Sequence, residues 1–159
     1  MKCRPWAFWA LFAACLLGVT LVGGNALAAD GPLRAHYRVV LSSGLFAIPA
    51  GAHSVDWAVA NHSAQPRKVR VTVYKYGIGA PRAVVPPGAL EFTVDPGSAY
   101  HNANNVGADK PFVPGFYYEV VMESNSPQVL PIVHVWQDAV NTVIPGTLIP
   151  SGSWSSLRW

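Results

Sequence analysis

"RKVRVTVYKY", Arg67 to Tyr76, is the stretch whose reading decides the fold. Val69, Val71 and Val73 fall on every second residue, with Lys68, Arg70, Thr72 and Tyr74 between them. Side chains alternate faces along a strand, so a period of two with β-branched residues on one side marks a half-buried β-strand. The valine side is a core face. The basic, tyrosine-bearing side faces outward, and what it meets there is the first functional question.

Working outward, the same period recurs in short runs separated by Gly, Pro, Asn and Ser. "SVDWAVAN" places Val55, Trp57 and Val59 on one face and ends in the turn-rich "NHSAQP", Asn61 to Pro66. "LEFTV" places Leu90, Phe92 and Val94 inward, between the turns "PPG" (Pro86 to Gly88) and "DPG" (Asp95 to Gly97). "FYYEVVMES" sets Phe116, Tyr118, Val120 and Met122 against Tyr117, Glu119, Val121 and Glu123. "VLPIVHVW" is apolar on both faces, and Pro131 within it argues for an edge or a bulge. "HYRVVL", "LFAIPAG", "RAVV" and the interrupted "TVIPGTLIP" complete the set. No helix-length period of 3.6 is present. Seven to nine strands on short turns predict an all-β protein, an antiparallel β-sandwich of immunoglobulin-like type with a jelly roll as second choice. A long loop is expected from Ser98 to Pro114. The tail "SGSWSSLRW" either docks on the sandwich or frays.

The chain opens "MKCRPWAFWALFAACLLGVTLVGGNALAAD". Lys2 and Arg4 precede an uncharged run from Trp6 to Gly24, and "ALA" at Ala26 to Ala28 fits a small-x-small cleavage site. This is the layout of a signal peptide over residues 1–28, followed by a single domain over 29–159 in a secreted or periplasmic protein. An uncleaved anchor is the competing reading, because the run is near the lower length limit for a spanning helix. A lipoprotein reading at Cys15 is poorer, since Phe12 suits it badly. Cleavage leaves about 130 residues, enough for one core. It also removes Cys3 and Cys15, so no disulfide, thiol nucleophile or cysteine metal site is expected. Lys2 and Arg4 leave too, so 9 basic residues face 8 acidic ones, and no strong field remains to recruit nucleic acid.

The chemistry-bearing patterns are sparse. None of the five histidines shows a metal-ligand spacing. His134 and Asp138 share a strand face but lie about 13 Å apart by extended-chain rise, too far to share an ion. Glu119 and Glu123 are likewise two pleats apart, and no nucleophile motif is present. The expectation is a non-enzymatic binding protein without cofactor. Its candidate binding residues are Arg70 and Tyr74 on the opening strand, Tyr100, His101, Asn102 and Asn104 in the Asn-rich loop, and Trp136. The expected partner is a protein or cell-envelope component, self-association included, with a saccharide also considered. Membrane contact is expected only through an uncleaved N-terminal segment. The alternative class is a carbohydrate-binding or metal-dependent hydrolytic domain. For the outer face of Arg67–Tyr76, the favoured account sets Lys68 and Arg70 opposite Glu91, Glu119 or Glu123 in a self-neutralising surface. "NHS" at Asn61 to Ser63 matches the N-glycosylation acceptor pattern.

Two stretches, the Asn-and-Ser turn leading into Val69–Tyr74 and "ESNSPQVLPIVHVWQD" from Glu123 to Asp138, resemble the small β-sandwich family of sensory rhodopsin transducers. The resemblance implies a sandwich and carries no function or site residue to this chain.

Overall fold

The structure, a computed structural model, describes residues 37–137 and 142–157. The segment 1–28, expected from the sequence to be a signal peptide, lies outside the described residues, as do Asp138 and Trp159. Ten strands are described: β1 (Val39–Ser42), β2 (Phe46–Ala47), β3 (Ser54–Asn61), β4 (Arg67–Tyr76), β5 (Ala83–Val84), β6 (Leu90–Val94), β7 (Ala99–Asn105), β8 (Tyr117–Ser124), β9 (Val129–Trp136) and β10 (Ser155–Ser156). They form two sheets. The larger runs β10-β1-β8-β4-β5, with β2 also on β8 and β6 also on β4; the smaller runs β7-β3-β9. Every strand pair is antiparallel. Among the described residues no helix is long and apolar enough to cross a membrane.

One hydrophobic core joins the sheets. Val69, Val71 and Val73 of β4 with Tyr118, Val120 and Met122 of β8 meet Val55, Trp57 and Val59 of β3 and Val129, Val133 and Val135 of β9. On β3 and β4 these are the faces that alternation assigns inward, whereas on β9, apolar on both faces, the structure selects the odd-numbered side; each fully buried side chain contributes roughly 1.5–3 kcal/mol. Trp57 stacks on Phe92 and Tyr100, tying β3 to β6 and β7. The β3–β4 connection is held by Asn61, whose side-chain amide donates to the carbonyls of Gln65 and Val94 and whose Oδ1 accepts from Ser63 N and Oγ. This is the turn chemistry that Asn and Ser supply. It also closes the glycosylation pattern: Asn61 is buried and both its amide N–H groups are already donated.

Three expectations are refined. The predicted loop 98–114 is a strand in its first half. Asn is a poor strand former in isolation, and the pairing of β7 along the whole of β3 overrides that preference. "TVIPGTLIP" makes two isolated bridges to β9, at Trp136–Val143 and Val133–Ile149, because Pro145 and Gly146 turn the chain between them. The tail docks: Trp154 is buried and β10 pairs with β1. Pro131 sits on an edge strand, as its missing N–H requires. Val133, two residues on, exchanges its backbone bonds with Ile149 rather than β3, so the Pro131 nitrogen also points away from β3.

Candidate functional site

The outer face of the small sheet holds a carboxyl group where alternation leaves room for little polarity. Asp56 lies on the central strand β3 between Val55 and Trp57, so its side chain points away from the core. It is nevertheless only 5% exposed. Directly opposite it on β9 is His134 and on β7 is Ala103; His101 and Trp136 approach diagonally from the two flanking strands.

These groups converge on one atom. Asp56 Oδ2 accepts the Trp136 indole N–H at 2.5 Å and lies 3.1 Å from His101 Nε2. His134 Nε2 is 3.8 Å away, beyond hydrogen-bond reach. Its ring meets the Trp136 ring edge-on, with centroids 4.3 Å apart. Burial pushes the His134 imidazole below its ordinary value; Asp56 draws it back up and His101 opposes that. Asp56 Oδ1 is buried with no hydrogen-bond partner. An unpartnered buried carboxyl oxygen is costly, so such atoms call for an explanation beyond packing.

The candidate residues from the sequence divide between three places. His101 and Trp136 converge on Asp56. Tyr100, Asn102 and Asn104 take the opposite side of β7: Tyr100 stacks on Phe92 at 4.0 Å, and Asn104 donates to Asn102. All four of Tyr100, His101, Asn102 and Asn104 lie on a strand, which corrects their placement in a loop. Arg70 and Tyr74 lie on β4 in the other sheet. Arg70 is flanked in register by Glu91 on β6 and Glu123 on β8, at 3.2 and 3.7 Å. Its Nε–H is not aligned for a hydrogen bond, so the pairing is coulombic. The ring of Tyr74 is covered by the Arg82 guanidinium at 4.3 Å. Next to it Glu119 accepts from Ser42 Oγ and from the Tyr76 hydroxyl. The outer face of β4 is thus largely occupied by its own neighbours, as the favoured account expected for Arg70; Lys68 instead lies opposite Thr93.

Asp56 is the residue that sequence reasoning missed. The signal was present: in "SVDWAVAN" the second face reads Ser54, Asp56, Ala58, Ala60, a lone acid among small residues. The site has the side chains for holding a hydrogen-bonding group, with an imidazole on each side and an indole beside it. Among the described residues no three His, Cys, Asp or Glu side chains are arranged to hold a metal ion. No family model, curated protein or solved structure matches the chain, so the resemblance to sensory rhodopsin transducers rests on its two stretches alone.

Proposed function

We propose that this chain is an exported, non-enzymatic binding domain, secreted or periplasmic, that holds a protein or cell-envelope component on the outer face of its three-stranded sheet. The observation that carries this reading is Asp56: a carboxyl group buried on a solvent-side face, with Oδ2 gathered by Trp136 and His101 and Oδ1 without a partner. Residues that break a local rule without structural compensation concentrate at functional sites. The neighbouring surface suits a macromolecular partner. Leu130 is exposed on the same face, Ile132 and Ala58 are half-buried there, and Trp136 supplies an aromatic anchor of the kind enriched at interfaces. For the sandwich type, the alternation of β7, β8, β9 and β10 between the sheets supports a jelly roll over the immunoglobulin-like arrangement.

The saccharide alternative loses two of its aromatics, since Tyr100 packs inward and Tyr74 is covered. The hydrolytic alternative keeps a converging carboxyl and imidazole pair but lacks a metal-binding group among the described residues. A photo-crosslinking residue placed at position 130 or at position 74, in cells carrying their native envelope, tests the reading. A discrete adduct from position 130 and none from position 74 is expected. Adducts from position 74 alone would move the site to β4.

A further inference from the structure

We propose that the Asp56 site takes a lysine side chain of a protein partner, with the four-carbon stem lying on alanine methyl groups and the ammonium reaching Asp56 Oδ1. The inference deepens the reading above and rests on it.

The strand registers lay out a trough along the outer face of β3. Ala60 stands between Leu130 on β9 and Ala99 on β7. One pleat on, Ala58 stands between Ile132 and His101. The next pleat brings Asp56, between His134 and Ala103. The central strand carries the small side chains and β9 the long ones, so the floor is methyl and one wall is branched aliphatic. Ala58, Ala60 and Ile132 are half-buried, while Leu130 and Ala99 are exposed. Ala58 lies about 7 Å from Asp56 by strand rise. A lysine stem covers that step, burying its methylenes while the head group goes on to a polar partner.

The far end of the trough sets the charge and shape of the head group. Asp56 Oδ1 is buried and accepts nothing, and Oδ2 is already tied to the Trp136 indole. Burial keeps the His134 imidazole below its ordinary value, so at neutral pH it brings no positive charge to the carboxylate. A buried carboxylate with an idle oxygen calls for a cation. An ammonium is a compact point charge that one oxygen can hold, whereas a guanidinium fork is planar and uses two. A sugar would set hydroxyl groups over alanine methyls and leave them unpaired. An apolar side chain would fill the trough and leave Oδ1 as it is. Oδ1 is closed to solvent in this conformation, so the head group enters by turning a neighbour aside. His101 is placed to yield: it lies on a flanking strand, 56% of its side chain is exposed, and it meets Asp56 Oδ2 at 3.1 Å.

Nuclear magnetic resonance titration tests the anchor, with Nα-acetyl-lysine methylamide as probe and its arginine and norleucine counterparts beside it, at a pH of about 8, above the ordinary imidazole range. The lysine probe should shift the Trp136 indole signal and the Asp56 and Ala58 amide signals saturably in the wild type. The arginine probe should bind about tenfold or more weakly, the equivalent of one charge-assisted hydrogen bond, and norleucine should not saturate. Asp56→Asn, its fold checked by its amide spectrum, should lose the lysine response. His101→Ala should bind lysine at least as tightly as the wild type. No saturable lysine response in the wild type, an equal response to norleucine, or a folded Asp56→Asn that binds lysine like the wild type would overturn the anchor. Arginine bound as tightly as lysine would overturn the ammonium assignment, and a weaker His101→Ala the entry route. Crosslinking from position 130 separates this from the reading beneath it. An adduct beside a failed titration keeps the binding surface and removes the lysine; a successful titration without an adduct removes the protein partner.

Discussion

Arg70 and Asp56 occupy equivalent places in the two sheets. Each is a charge-bearing residue in mid-strand, flanked on both sides, with its side chain on the outer face. Their surroundings differ. Arg70 keeps 29% of its side chain exposed and has a carboxylate of opposite charge on either side, so its charge is balanced even though its buried Nε makes no hydrogen bond. Asp56 is buried among two imidazoles and an indole, and one of its oxygens has no partner. A charge that its sheet neutralises is ordinary surface. A carboxyl group that its sheet buries without full compensation is held there at a cost, and that cost is the physical case for a site.

The largest expected effect comes from beneath the comparison. Trp57→Ala removes the indole that stacks on Phe92 and Tyr100 on the core side of β3. It should cost about 3–5 kcal/mol in urea denaturation. A loss as small as that of a surface substitution would detach the small sheet from the core as described. Next is Trp136→Ala, which withdraws the hydrogen bond to Asp56 Oδ2 and should cost about 1–3 kcal/mol, while abolishing partner capture. Retained capture would remove Trp136 from the site.

Smaller again is the pH effect of His134. Burial holds this imidazole below its ordinary value of 6.5, so the unfolded chain takes up the proton first as pH falls. The contribution is complete above that value and is lost progressively as pH drops through the folded value. Thermal denaturation from pH 7 to pH 5 should therefore show a falling melting temperature that is shallower in His134→Gln. Identical slopes would place His134 outside the linkage. The smallest effect is that of Arg70→Ala, within about 1 kcal/mol, because partly exposed ion pairs are screened and contribute little. A larger loss would make the two faces alike and break the comparison.

The alternation of apolar residues was enough to bound β3 and β4 and to orient β6, and it offered Glu91, Glu119 and Glu123 as acids for the outer face of β4; the strand order then sets Glu91 and Glu123 beside Arg70. These are properties of local period and of neighbouring strands. β7 was less legible, because "AYHNANN" alternates Tyr and Asn against Ala and His, with little contrast in hydropathy and poor intrinsic strand preference. Its strand character comes from β3, which pairs along its full length. The site was legible only in fragments. Asp56 lies 45 residues from His101 and 80 from Trp136, and their convergence depends on which strands flank β3. Strand order is set by packing of the whole chain, which no short window of sequence contains. His101 and Trp136 could be singled out by residue type; the carboxyl group between them could not be connected to either.

The most direct test of the account pairs the two charges in one experiment. Asp56→Asn and Arg70→Gln are each compared with the wild type in crosslinked capture from the native cell envelope, with folding checked by circular dichroism. The account predicts a discrete partner retained by Arg70→Gln and lost from a folded Asp56→Asn. A partner retained by Asp56→Asn and lost from Arg70→Gln would contradict it, and would return the functional surface to the outer face of Arg67–Tyr76.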